Sequence, residues 1–219
     1  MNGRIITVAQ QKGGSGKTTL VVNLACAMRA RGLTVALIDT DPQGSLGRWF
    51  MERLDRQGDD PGLDFSTSSA WGASYEAGKL KRSFDIVLID TPPKIDSDLR
   101  PALRVADLIL VPVASSHVDL WATEGVLDLA QRERRDPLIV LNRTRPGTRL
   151  GAEIAAGIEE LGVAVATAHL GNRVAFAQTL GQGQAVSDLP RSPARDEAEA
   201  LVNEIMDRIG SKQGERVPA

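Results

Sequence analysis

An α/β fold, a doubly wound and mostly parallel sheet with helices on both faces, is predicted by three observations in this 219-residue chain. Apolar runs of strand length alternate with helical patterns along nearly all of it. Runs such as 5–9, 34–38, 84–89 and 108–113 lack the polar break at every second residue that marks a half-wet strand, so both faces need cover. Several of these runs also end in reactive polar residues: QQKGGSGKTTL after the first, DTDPQG after the second, DTPP after 84–89. In an open parallel sheet that carboxyl edge is where ligands sit.

Taken in order, the first strand feeds a glycine turn and then a helix over 19–30, with Leu20, Leu24, Ala27 and Met28 on one face and Gly32 as a stop. The strand at 34–38 is followed by a helix at 45–54 and a loop at 55–62, where Gly58, Asp59, Asp60 and Pro61 cluster. A short strand at 63–66, a short helix at 73–81 and a buried strand at 84–89 come next. Helical spacing of Leu99, Ala102, Leu103 and Ala106 predicts a helix over 97–105. Residues 108–113 form a strand, 114–119 a loop, 120–132 a helix and 137–141 a strand. A helix at 151–160, a last strand at 163–168, a short helix at 173–180 and a final helix at 193–209 complete the count. One domain spans 1–219 with a polar tail at 210–219, since α/β chains of this length usually form one core.

The chemistry starts at the glycine turn. Strand, glycines and helix start together make a phosphate site: glycines let backbone N–H groups turn toward an anion, and the helix N-terminus adds its positive dipole end. Gly16-Lys17-Thr18 fit the end of the P-loop pattern, with Lys17 aimed at β and γ phosphates and the Thr18 hydroxyl at Mg²⁺. Gly13, Gly14, Ser15 and Thr19 complete the cradle. The first glycine of the common pattern is replaced by Gln11, and Lys12 precedes Gly13-Gly14.

KGGxxGKT resembles the deviant Walker A motif of the ParA/MinD family of ATPases. The resemblance implies ATP and Mg²⁺ as cofactors and ATP hydrolysis as the activity. It makes Lys12 the residue that reaches across a dimer to the partner's nucleotide, so Lys12, Lys17 and Asp41 form the catalytic set. VALIDTDPQG is similar to the family's second segment, in which Asp41 orients the attacking water and Asp39 supports it at the metal side. Both aspartates also suit turn and cap positions before the next helix. Asp90, closing a buried strand, resembles a Walker B carboxylate that holds Mg²⁺ through water. Asn142 falls where the family hydrogen-bonds adenine, and an amide both donates and accepts. PVxxSxxDLWA resembles the segment that faces the dimer partner, with a buried Trp121 as the equal alternative. The stretch from Arg173 onward resembles the family's C-terminal loop over base and ribose.

By that resemblance the chain is a small ParA-type ATPase that forms a homodimer with ATP and binds nonspecific DNA. A ParB-like or other partner protein stimulates hydrolysis, and the cycle positions a plasmid, a chromosome origin or a protein assembly. Formal charge is only −2, so DNA binding needs a local patch. Arg173, Arg191 and Arg195, near the closing segment, are the candidates. A cytoplasmic protein, nucleoid-associated when ATP-bound, is expected: no secretory signal opens the chain and no apolar run approaches ~18 residues. A MinD-like membrane switch would want Lys and Arg on the polar face of the last helix, which carries Glu197, Glu199, Glu204 and Asp207. Cys26 alone cannot build a metallocluster site, and it reads as a buried inert thiol. His117 and His169 carry no assigned chemistry. Metabolic amide or carboxyl transfer would need insertions for which there is no room. The cellulose-synthesis accessory branch of the same family stays open.

Overall fold

The computed structural model describes residues 3–58, 60–93, 98–114, 116–145 and 147–211. The strands are β1 (Arg4–Val8), β2 (Val35–Asp39), β3 (Asp64–Thr67), β4 (Ile86–Asp90), β5 (Leu108–Ala114) and β6 (Pro137–Asn142). All five pairings are parallel, in the order β3-β2-β4-β1-β5-β6.

Alternation along each strand builds two cores. Ile6, Val8, Leu37, Leu88, Leu110 and Val140 face one side, where they meet α1 (Lys17–Arg29), α2 (Ser45–Gln57), α7 (Val174–Leu180) and α8 (Pro193–Ser211). Ile5, Ala36, Ile38, Val87, Ile89, Ile109 and Ile139 face the other. That side is closed by α3 (Ala73–Leu80), α4 (Arg100–Val105), α5 (His117–Arg132) and α6 (Arg149–Glu160). Because successive side chains point to opposite faces, a strand covered twice is apolar at nearly every position, and the buried exception in β1, Thr7, donates its hydroxyl to the Ala102 carbonyl. Helix α1 is buried at Leu20–Met28 on nearly every side, as expected of a helix packed between the sheet and α8.

Several sequence expectations need correction. Helix α1 opens at Lys17, two residues earlier than predicted, and α2 runs on to Gln57, into the predicted loop. Helix α4 opens at Arg100; the expected start at Ser97 lies outside the described residues. Helix α5 opens at His117 within the predicted loop, because the Ser116 hydroxyl accepts the Asp119 N–H and caps it. The predicted strand at 163–168 is reduced to a single bridge, Ile139 to Val165. Its next amides are diverted: Thr167 N–H and Ala168 N–H donate to the two Glu204 carboxylate oxygens, at 2.9 and 2.8 Å. Gly210 and Ser211 of the expected tail form the last turn of α8, and 212–219 lie outside the described residues.

Candidate nucleotide site

Strand register sets the site. Val8 and Asp39 each pair with Asp90 across the parallel ladder, so the carboxyl ends of β1, β2 and β4 lie side by side. The loop after β1 then wraps the start of α1. Gly16 has φ of 91°, a left-handed conformation that glycine adopts freely, and a Cβ there would lie 2.3 Å from Asn142 Nδ2. Asn142, at the end of β6, donates through Nδ2 to the Ser15 carbonyl at 2.9 Å, and its Oδ1 accepts the Arg143 N–H. The amide placed by sequence at the base therefore braces the loop, with one N–H and one lone pair left to offer a ligand.

The loop encloses a pocket of about 220 Å³ lined by Gly13, Gly14, Gly16, Lys17, Thr18, Thr19 and Asp41. Lys17 Nζ donates to the carbonyls of Gln10 and Lys12, at 2.9 and 3.2 Å. Burial holds its pKa below the ordinary lysine value, and the nearby Asp90 and Asp41 carboxylates act the other way. Phosphate oxygens close to Nζ would favour the charged form further.

Metal chemistry centres on Thr18 and Asp90. Thr18 Oγ1 donates to Asp90 Oδ2 at 2.6 Å, and Asp90 Oδ1 is buried without a hydrogen-bond partner. Burial pushes the Asp90 carboxyl up to about 7; the Thr18 hydrogen bond opposes that rise, the Asp39 carboxylate adds to it, and Lys17 opposes it again. A hydroxyl and an unsatisfied carboxylate oxygen fit a Mg²⁺ that keeps most of its water shell and takes its remaining ligands from a nucleotide. Among the described residues no group of three or more His, Cys, Asp or Glu lies close enough to hold a metal ion by itself.

Asp39 is 3% exposed and already partnered: Oδ1 accepts the Asp41 N–H at 3.0 Å, and Oδ2 accepts the Gly47 N–H in the first turn of α2. Asp41 Oδ1 accepts the Gln43 N–H. Both aspartates thus fill the turn and cap roles open to them. Asp41 still lines the phosphate pocket and, with Asp39, the adjoining 630 Å³ pocket over β2 and β3.

Lys12 points to its own chain. Its Nζ lies 2.5 Å from Asp119 Oδ2 and 3.4 Å from Ser116 Oγ, and Ser116 Oγ also donates to Asp119. Gln10 secures the same helix by donating to Thr123 Oγ1. The sequence contained a signal for this anchorage, the S-x-x-D cap of α5, but not its partner. Trp121, on that first turn, is 66% exposed, which decides against burial. Arg173, Arg191 and Arg195 are ion-paired with Glu197, Asp196 and Glu199, at 2.7, 3.0 and 2.7 Å.

Residues 6–186 match the family described as the CobQ/CobB/MinD/ParA nucleotide binding domain. The chain belongs to that family. Among curated proteins it is 30% identical over 212 residues to the maintenance of carboxysome distribution protein A of Halothiobacillus neapolitanus, covering 92% of this chain and 95% of that one. It is 27% identical to the chromosome-partitioning ATPase Soj of Thermus thermophilus, over 94% and 96% of the two chains. Solved structures with the same fold include the MinD cell division protein of Aquifex aeolicus, with a TM-score of 0.77, 20% identity and 99% of each chain covered. Another is the cobyrinic acid a,c-diamide synthase of Mycobacterium smegmatis with bound ATP analogue and magnesium, at 0.78, 18% identity and 99% and 98% coverage. The sequence relatives place the chain with the ParA-type positioning and partition branch of this P-loop family. Among the described residues no helix is long and apolar enough to cross a membrane.

Proposed function

We propose that this chain is a positioning ATPase of one domain that binds ATP with Mg²⁺, pairs face to face with a second copy and hydrolyses the nucleotide. Lys17 and the loop amides bind the phosphates, Thr18 and Asp90 hold the metal side, Asp39 supports them, and Asp41 orients the water. Mg²⁺, when bound beside Thr18 and Asp90, would supply positive charge to offset that of the phosphates. The observation that carries this reading is Lys12. Its carbonyl accepts from Lys17 Nζ at the phosphate loop, yet its charge is directed away to Asp119, so a trigger that releases it would expose a cation to a second nucleotide. The ATP-bound dimer binds nonspecific DNA in the cytoplasm and is thereby held at the nucleoid until a partner protein stimulates hydrolysis. Likeness along nearly the full length to a carboxysome distribution protein favours a protein assembly as cargo over a plasmid or an origin.

Arg173, Arg191 and Arg195 are the proposed DNA contacts, and each must exchange a carboxylate for a phosphate. Each should therefore contribute less than the ~0.9 of log–log salt slope expected of an unpaired cation. Anchoring by α8 on a membrane is disfavoured, because Leu201, Val202, Ile205 and Ile209 of its apolar stripe are buried in the core.

The test is mass in solution with Mg²⁺ and a nonhydrolysable ATP analogue, for the parent and Lys12→Ala, with DNA shift assays in ADP and ATP. A parent that stays monomeric refutes the sandwich. DNA binding that is equal in both nucleotides removes the DNA step.

A further inference from the structure

Gln11 stands where the common phosphate-loop pattern has a glycine, and α5 shows where its side chain goes. Gly125 lies in the interior of that helix, where glycine is the least favourable residue after proline. A Cβ on residue 125 would lie 2.2 Å from Gln11 Nε2, 2.6 Å from Oε1 and 2.8 Å from Cδ. The Gln11 amide therefore occupies the space that any other residue at 125 would fill. A helical glycine need not have such an occupant: at Gly78, in α3, a Cβ would meet nothing within 4 Å. Gln11 Nε2 is buried with no hydrogen-bond partner, so what the seat at Gly125 supplies is shape and not a bond.

The residues on either side of Gln11 reach the same helix. Gln10 Nε2 donates to Thr123 Oγ1 at 3.1 Å and to the Pro112 carbonyl at 3.2 Å, and Gln10 Oε1 accepts the Gln11 N–H at 2.8 Å. Lys12 Nζ pairs with Asp119 Oδ2 at 2.5 Å. At about 100° per residue, positions 123 and 125 point to nearly opposite sides of a helix. Thr123 is fully buried beneath α5, whereas Gly125 lies on its half-buried flank. Gln10 and Gln11 thus hold α5 from two sides, and the residue that follows them carries the charge. A glycine at 11 would leave the flank seat empty and the loop held from beneath alone.

We propose that Gln11 is a positioning residue for Lys12: its side chain, seated against Gly125, fixes the path of the loop so that the Lys12 ammonium meets Asp119 in the single chain and the partner's phosphates in the dimer. Only the last of these contacts rests on the ATP sandwich proposed above.

Gly125→Ala evicts the Gln11 amide while improving helix propensity, Gln11→Ala empties the seat, and Gln11→Met keeps the length and shape of the side chain without its amide. The measurement, on the full chain without nucleotide, is the rate of reductive methylation at Lys12, read by mass spectrometry. Lys81 is the reference, since its 2.7 Å ion pair with Asp107 involves no residue of α5. Gly125→Ala and Gln11→Ala should each speed Lys12 labelling by about fivefold, the size of one lost ion pair. The double variant should label no faster than either single one, because both remove the same contact. Gln11→Met should label at the parent rate. Both alanine variants should bind ADP as tightly as the parent, yet yield less dimer with Mg²⁺ and a nonhydrolysable ATP analogue. Unchanged Lys12 labelling in Gly125→Ala would overturn the proposal, since the amide then leaves its seat without moving the loop. Equal acceleration at Lys81, which marks general loosening, would overturn it too, as would effects that multiply in the double variant. A parent that stays monomeric removes the sandwich reading, and the labelling then decides by itself whether Gln11 positions Lys12.

Discussion

Replacing Arg53 by methionine should destabilise the protein by about 3.5 kcal/mol, a figure that follows from what the guanidinium touches. Arg53 is fully buried on α2, with Nε donating to the Pro61 carbonyl at 3.1 Å and Nη1 to the Gly183 carbonyl at 3.2 Å. Nη1 and Nη2 grip the two Asp188 oxygens, at 2.7 and 3.3 Å. Methionine keeps most of the stem volume, so the loss is polar. Two buried carbonyls lose their donors, at about 1 kcal/mol each. Asp188 loses its cation but stays 19% exposed and keeps the Ala185 N–H, so its share is placed at the low end for a charged hydrogen bond, about 1.5 kcal/mol. Urea unfolding at constant slope should read the sum, and the thermal midpoint should fall by about 10 °C. Removing the stranded carboxylate as well, in Arg53→Met with Asp188→Asn, should recover part of it. A single variant within about 1 kcal/mol of the parent would show that water replaces the lost donors, and the buried fork would then not hold α2 to the 183–188 loop.

Gly183→Ala should cost at least about 3 kcal/mol in the same unfolding assay, because φ is 65° and the new Cβ would lie 2.3 Å from the Arg53 backbone nitrogen. A near-neutral result would mean that the loop moves away freely. Asp107 accepts hydrogen bonds from Ile5 N–H at 2.9 Å and Lys81 Nζ at 2.7 Å. Burial raises its pKa, but the Lys81 hydrogen bond and its neighbours prevail and hold it below the usual carboxylate value. Its charged form therefore stabilises the fold above the unfolded value of about 4, and that contribution fades as pH falls toward the folded value. The stability gap between parent and Asp107→Asn should be flat from about pH 5 to 7 and narrow below about 4; a gap that widens in acid would reverse the sign. Burial pushes the Cys26 thiol up to about 12, so a disulfide reagent at about pH 8 should label it only as the protein unfolds. Prompt labelling of the native state would contradict the packing around α1.

Legibility in the sequence tracked the range of the interaction. Strands β1, β2 and β4–β6 were visible because each carries its burial in a contiguous run, and the phosphate loop because its glycines and lysine are adjacent. Asp39 and Asp90 were visible because both end such runs. Pairing of Lys12 with Asp119 spans 107 positions, and bracing of Ser15 by Asn142 spans 127. Nothing local announces either. Arg53 lies in the polar-looking string GRWFMERLDRQ, where periodicity gives no reason to bury an arginine. The strand expected at 163–168 has the right composition; what redirects it is a glutamate 37 residues away.

That glutamate also bears on how copies of this chain behave when crowded. Unpaired amides at the rim of a sheet invite a second chain to add a strand. At the β6 rim the Ile139 N–H and C=O pair with 164–166, Leu141 accepts from Leu170, and Glu204 covers two amides of the strap that does this. At the opposite rim β3 has only four residues, and Asp64 at its start is exposed. Neither rim offers the long, bare, apolar ladder on which aggregates grow, so crowded copies of this chain have no flank that seeds fibres.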